Sequence, residues 1–295
     1  MNLMFTQFFG NYLLNKGLVT SAQLSRALSD RKQTRAKLGV LAINAGYMTP
    51  AQVDEVHAEQ QRVDKRIGDI AVEKGYLTEA QVDELLSKQG LAHLQLGQAL
   101  VDAGVMTNAA FADALNGYKQ ANSLTDIDFS DKTGKKVDEL ISSFYKFDGE
   151  AQGDYLTEYV TLLFKNLIRF IGDDFTPLAP EKIPSARVSF AAQQRLIGEF
   201  STVTAIDASE QSYIAFASRY ADEKLTDADE MTDAANGEFM NLHNGLFAVN
   251  TSNERNKEIK LQPPVCLRDS SLEGPLYRVA VVFPFGTVSF YLTVK

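Results

Sequence analysis

The sequence predicts a two-domain α+β protein: an all-α array of four 29-residue helical hairpins, then an α/β sandwich of long helices on an antiparallel sheet. Three observations predict it. The first is a repeat. Gly10, Gly39, Gly68 and Gly97 are 29 residues apart, as are Gly17, Gly46, Gly75 and Gly104, and Thr20, Thr49, Thr78 and Thr107. A period of this length without insertions marks stacked supersecondary units. The second is the loss of that repeat beyond Ala121. The third is a change of pattern near residue 153, where one long amphipathic segment gives way to runs rich in β-branched and aromatic residues. The domains are placed at 1–120, a linker with a short helix at 121–152, and a second domain at 153–295.

Each repeat reads as two helices. In RIGDIAVEKG, Ile67, Ile70 and Ala71 share one face, and Gly75 suits a left-handed C-terminal cap. TEAQVDELLSKQ opens the second helix, with Thr78 and Gln81 forming a capping box that recurs at Thr20/Gln23 and Thr49/Gln52. Pro50 sits at the first helical position, where its missing N–H costs nothing. The earlier glycine of each copy lies inside the first helix, at a cost of about 1 kcal/mol against alanine. Its placement implies close approach of a neighbouring helix or of a ligand. The first and fourth copies depart most from the pattern and read as structural caps.

The linker ANSLTDIDFSDKTGKK is polar and turn-rich, Val137–Phe147 reads as a short amphipathic helix, and DGEAQGD is solvated. Tyr155–Ile171 carries Leu156, Val160, Leu163, Phe164, Leu167 and Ile171 at helical spacing. RVSFAAQQ, FSTVTAIDA and SYIAFASRYA read as strands, and 227–242 as a helix. Leu246–Asn250 and Glu258–Leu261 read as further strands. The end, LYRVAVVFPFGTVSFYLTVK, reads as a hairpin turning near Pro284–Gly286.

Composition excludes several function classes. One cysteine, Cys266, leaves no partner for an internal disulfide and fits a reducing compartment. The start MNLMFTQFFG lacks a basic n-region and a cleavage site, and no apolar run approaches the ~18 residues of a membrane span, so a cytoplasmic location is expected. Residues 1–120 carry 12 Lys+Arg against 12 Asp+Glu, and the remainder 17 against 26, which is the whole −9. Neither half has the basic excess of a nucleic-acid binder. A local cluster of Arg31, Lys32, Arg35 and Lys37 suits a small anionic ligand. His57, His93 and His243 are scattered, so no metal site is expected. His243 reads as a surface histidine and Cys266 as a buried apolar residue. No P-loop or dinucleotide fingerprint is present.

Two constellations carry chemistry. KLGVLAINAGYMTPAQVDEVHAEQ (Lys37–Gln60) and RIGDIAVEKGYLTEAQVDELLSKQ (Arg66–Gln89) resemble the tandem motif of MshEN domains, the N-terminal modules of type II secretion and pilus-assembly ATPases. The resemblance implies a cyclic di-GMP site. Arg66, Ile67, Gly68 and Gln89 take the motif positions in the third copy, and Lys37, Leu38, Gly39 and Gln60 in the second. Lys37 stands where the family has arginine, and a lysine cannot reproduce the planar fork. Read from the residues alone, this part is a helical scaffold or docking module.

The second constellation is GEFMNLHNG. Glu238 and Asn241 are three residues apart, so a helix projects both from one face. The segment order over 153–295, with this motif on the second long helix, resembles the CheX/CheC family of chemotaxis phosphatases. Glu238, Asn241 and Gly245 match the family pattern; Ala234 stands where it has an acidic or serine residue, and Asp233 is one place off. The resemblance implies a phosphorylated response regulator as partner, a Mg²⁺ ion supplied by that partner, no tightly bound cofactor, and dimerisation through the sheet. Asn241 would hold the attacking water and Glu238 would pair with a regulator lysine, making a protein aspartyl-phosphate phosphatase. The alternative is a non-catalytic adaptor that binds a regulator without hydrolysis.

Overall fold

The two glycines of each repeat answer different physical needs. Gly17, Gly46, Gly75 and Gly104 have φ of 66°, 69°, 73° and 67°. In each copy the glycine N–H returns to the carbonyl three residues back, and the next N–H to the carbonyl five back, as in Gly75 to Val72 and Tyr76 to Ala71. This double bond closes the end of a helix and needs a left-handed residue, which glycine supplies without strain. The other glycine serves packing. A Cβ on Gly39 would lie 2.5 Å from Val53 Cγ1, one on Gly68 3.2 Å from Val82 Cγ1, and one on Gly97 would overlap the Phe111 ring. Val53, Val82 and Phe111 are equivalent repeat positions, so each glycine admits the side chain of its own partner helix.

The computed structural model describes residues 4–31, 33–122, 141, 144, 145, 147 and 149–294. The chain divides into two compact units, Met1–Thr133 and Gly134–Lys295. Among the described residues the first unit holds helices α1 (Met4–Asn15), α2 (Ser21–Arg31), α3 (Leu38–Asn44), α4 (Pro50–Gln60), α5 (Ile67–Glu73), α6 (Glu79–Ser87), α7 (Ala92–Asp102) and α8 (Asn108–Ala121). Reciprocal capping boxes start α4 and α6, at Thr49/Gln52 and Thr78/Gln81. Thr107 accepts from Ala110 N–H at the start of α8, but alanine returns no bond.

The pairs do not stack in chain order. α7 packs on α1, α2 and α3, α8 on α1, α3 and α4, and the second copy meets the third through α3–α6 and α4–α5. The spatial order of the copies is one, four, two, three. The fourth copy is therefore interior, which corrects the expectation that it is a cap. Its unusual aromatics explain the difference: Phe111 meets Phe9 at 6.2 Å and Tyr118 meets Phe9 at 5.4 Å, filling the seam with the first copy. Copies two and three meet through a reciprocal pair, Tyr47 Oη donating to Glu84 at 2.9 Å and Tyr76 Oη to Glu55 at 2.7 Å. These are the same two repeat positions exchanged, so a local two-fold relates the copies.

These contacts set opposite expectations for two similar substitutions. Gly97→Ala gains about 1 kcal/mol of helix propensity but drives Cβ into a rigid ring, and overpacking costs typically 1–3 kcal/mol. Its thermal midpoint should fall by several degrees. Gly68→Ala meets a valine methyl that can give by a few tenths of an ångström, so its midpoint should stay near that of the parent.

The second unit orders α9 (Gly153–Phe170), β1 (Thr176–Pro177), β2 (Glu181–Gly198), β3 (Thr202–Ala208), α10 (Glu210–Ala221), α11 (Glu230–Arg255), β4 (Ile259–Leu261), β5 (Val265–Phe283) and β6 (Gly286–Thr293). All ladders are antiparallel, in the order β1-β5-β6-β3-β2-β4, and β5 also pairs with β2 from Glu181↔Arg278 to Gln193↔Val265. The ladders β5–β6, β6–β3, β3–β2 and β2–β5 thus close a ring. The register slips between Ile183 and Ser185, across Pro184, which has no N–H for the ladder. Ala186, Val188, Ala191, Ala205, Leu272, Leu276 and Tyr291 form one buried cluster of the sheet. A second core lies under the helices, where Phe216 meets Phe239 at 5.0 Å and Phe283 at 6.1 Å.

Two predicted strands are helical. SYIAFASRYA lies within α10, because Tyr213, Phe216 and Ala217 are buried at i, i+3 and i+4. Leu246–Asn250 continues α11, which runs unbroken until Asn256 caps it at φ 53°. The expected helix Val137–Phe147 falls mostly outside the described residues, as does Lys32. Within that stretch Tyr145 is buried and donates to the Leu178 carbonyl at 2.6 Å. Among the described residues no helix is long and apolar enough to cross a membrane.

Candidate functional site

α11 begins where Asp229 accepts from the N–H groups of Met231 and Thr232 at 3.1 Å, relieving two orphan donors. Its buried stripe runs through Thr232, Ala235, Asn236, Phe239, Met240, His243, Asn244, Phe247 and Thr251. Phe239 and Met240 are core residues, as their flanking positions require. The opposite stripe leaves Ala234, Glu238 and Asn241 exposed together, with Gly245 half-buried. A Cβ on Gly245 would meet only Leu261, at an ordinary 3.9 Å, so no close approach demands glycine there. Met231 and Val249 are more than half exposed on the same helix. An acid and an amide thus share an accessible turn with an apolar margin.

Each of the two has a defined setting. Asn241 Oδ1 accepts from Gln194 Nε2 at 2.7 Å, and Gln194 is only 1% exposed. Glu238 lies near Tyr220, whose hydroxyl is held above its usual range first by burial and then by the Glu238 charge. Asp233 cannot substitute for the acid missing at Ala234. It is bonded to Arg268 Nη2 at 2.6 Å and to Tyr213 Oη at 3.1 Å, and Arg268 lies over the rings of Phe190 and Tyr213.

Three residues depart from expectation. His243 is fully buried, not on the surface: its Nδ1 meets Asn166 Nδ2 at 2.9 Å and Tyr159 packs edge-on at 4.4 Å. It lies on the helix side opposite the Glu–Asn pair. Cys266 is exposed, at the start of β5, with Sγ 3.7 Å from the Asp233 carbonyl. Gln194 went unrecognised as part of the site, although its sequence signal was an amide between Ala192 and Leu196, in an inward register.

In the first unit, Leu38, Arg66, Ile67 and Gly68 line one cavity of about 600 Å³. Lys37, Gly39, Gln60 and Gln89 do not. Lys37 Nζ is paired with Asp102 at 2.7 Å, Gly39 is covered by Val53, and Gln60 Nε2 donates to the Lys65 carbonyl. The same cavity is walled by Asp69, Glu73, Glu79 and Asp83. Glu73 is paired with Lys65 at 2.6 Å, and the other three acids still outnumber Arg66 along the wall, an excess of negative charge that opposes an anionic ligand. Among the described residues, no three His, Cys, Asp or Glu side chains are grouped to hold a metal ion.

No family model matches this chain. No curated protein matches it either. Solved structures similar over the C-terminal half include a chemotaxis protein CheX from Desulfovibrio desulfuricans, at 16% identity, covering 48% of this chain and 99% of that one, with a TM-score of 0.42. CheX from Vibrio vulnificus is 14% identical, with coverage of 48% and 99% and a TM-score of 0.42. A CheX–CheY–BeF3–Mg²⁺ complex from Borrelia burgdorferi aligns at 15% identity, with coverage of 48% and 98% and a TM-score of 0.40.

Proposed function

We propose that the C-terminal unit is a protein phosphatase that hydrolyses the aspartyl phosphate of a response regulator. The observation that carries the reading is the exposure of Glu238 and Asn241 on one turn of α11, with the amide anchored from beneath. The helix face would enter the regulator's phosphorylation pocket, with Glu238 pairing with a lysine there and Asn241 bonding the attacking water. Water attacks phosphorus in line with the bond to the aspartate oxygen. That bond breaks, the aspartate leaves as carboxylate, and both water protons end on the released phosphate. The regulator brings the metal ion, so this chain supplies position rather than an electrophile, and positioning alone can be worth several orders of magnitude. A second reading, a non-catalytic adaptor, is favoured by the absent side chain at exposed Ala234.

The test is phosphate release from a CheY-type regulator phosphorylated with acetyl phosphate and Mg²⁺. A rate raised about tenfold or more over the regulator's own supports the phosphatase; tight binding with an unchanged rate supports the adaptor. For the first unit, the acidic cavity supports docking of a partner over cyclic di-GMP. Calorimetry of the full chain with cyclic di-GMP should give no binding heat at low salt. Micromolar binding that Arg66→Ala removes would restore the nucleotide reading.

A further inference from the structure

We propose that Gln194 is a positioning residue that fixes which end of the Asn241 amide faces the partner; the inference rests on the phosphatase reading of Asn241. Gln194 reaches from β2 to the underside of α11 and is 1% exposed. One end of its side chain lies 2.8 Å from the Gln262 carbonyl, which can only accept, so that end is the nitrogen. The second hydrogen of this nitrogen points at Asn241, 2.7 Å away, and the atom that receives it must be Oδ1.

The other end of Gln194 is bound just as firmly. Its Oε1 accepts from Asn244 Nδ2 at 2.7 Å, and the same Asn244 nitrogen donates to Thr204 Oγ1 at 2.9 Å. Asn244 Oδ1 accepts from Tyr159 Oη at 2.7 Å. Tyr159, Gln194, Thr204 and Asn244 are all buried, so no step can reverse by borrowing a bond from water. A turned Asn241 amide would set NH₂ against NH₂ and leave a buried donor unmet.

The outcome is directional. Asn241 presents Nδ2, with its two N–H groups, to whatever docks on the face. Such a group binds an oxygen lone pair, on the attacking water or on the phosphoryl group, and takes no proton. Asn241 and Asn244 are one turn apart and both rest on Gln194, so the strand also holds this turn of the helix in register.

The test uses the full chain and CheY phosphorylated with acetyl phosphate. Gln194→Met keeps the volume and removes the bonds; Gln194→Glu keeps the shape but can no longer donate to Asn241. Both should lower kcat about tenfold or more while changing KM less than twofold, and neither should lower the residual rate of Asn241→Ala further. A folded Gln194→Met or Gln194→Glu with the parent kcat, or a further loss in the Asn241→Ala background, overturns the positioning role. Parent rates in Asn241→Ala itself overturn the phosphatase reading and the positioning role with it. The side-chain amide of Gln194 in the ¹⁵N-labelled parent gives a readout that survives misfolded variants. Its two protons should exchange slowly with solvent while those of Asn241 exchange fast, and solvent-rate exchange at Gln194 refutes the proposal.

Discussion

Asn241→Ala is expected to lower phosphate release from a phosphorylated regulator by about 10²-fold or more, the usual cost of removing one preorganised polar group from a reacting centre. The residue is exposed and its side chain is held by the bond from Gln194, so the substitution removes little packing. It does strip the buried Gln194 nitrogen of one of its two acceptors, a loss of about 1–3 kcal/mol. Activity should therefore fall much further than stability: a large loss of kcat in a protein that still folds, with a modestly lower melting midpoint. Glu238→Ala should behave differently. Its proposed role is docking, so KM for the regulator should rise several-fold and kcat should change less. If both variants raise KM alone, α11 is a binding face and the adaptor reading holds.

The second large effect concerns pH. Burial pushes His243 from its ordinary 6.5 down to about 3, so it is neutral in the folded protein. Between these two values the unfolded chain binds a proton that the folded chain does not, and stability falls as pH drops. At about 1.36 kcal/mol for each unit of pH, the loss amounts to roughly 4 kcal/mol across the window. The local geometry agrees. Asn166 Nδ2 donates to Nδ1, which leaves the proton on Nε2, a buried atom without a hydrogen-bond partner among the described residues. Hydrogen exchange of the α11 backbone amides, corrected for intrinsic rates, should show protection collapsing between pH 6.5 and 4. His243→Gln should flatten that slope, whatever it costs at neutral pH. A parent protein with pH-independent protection over this range would show that His243 is solvated or paired in the folded state.

The parts legible in the sequence were those encoded locally. Each repeat writes its own boundaries, with Thr–Gln boxes at helix starts and left-handed glycines at helix ends. The Glu–Asn face was legible for the same reason, since three-residue spacing on a helix needs no tertiary knowledge. The misreadings came where composition outvoted period. SYIAFASRYA is rich in aromatic residues, yet its buried positions follow the helical interval. Leu246–Asn250 reads apolar, but Leu246 and Val249 are exposed on a helix that simply continues. Burial of His243 and the bond from Gln194 to Asn241 depend on residues 77 and 47 positions away. No local pattern carries such distances.

The order in which the hairpins pack reaches beyond stability. A solenoid can grow as it leaves the ribosome, because each new unit lands on the one just made. Here the partner of the first hairpin is the fourth, so nearly the whole unit must be synthesised before α1 and α2 find their seat. Truncation after residue 89 would strand the opening residues without a surface to cover them, while the second and third hairpins would keep each other.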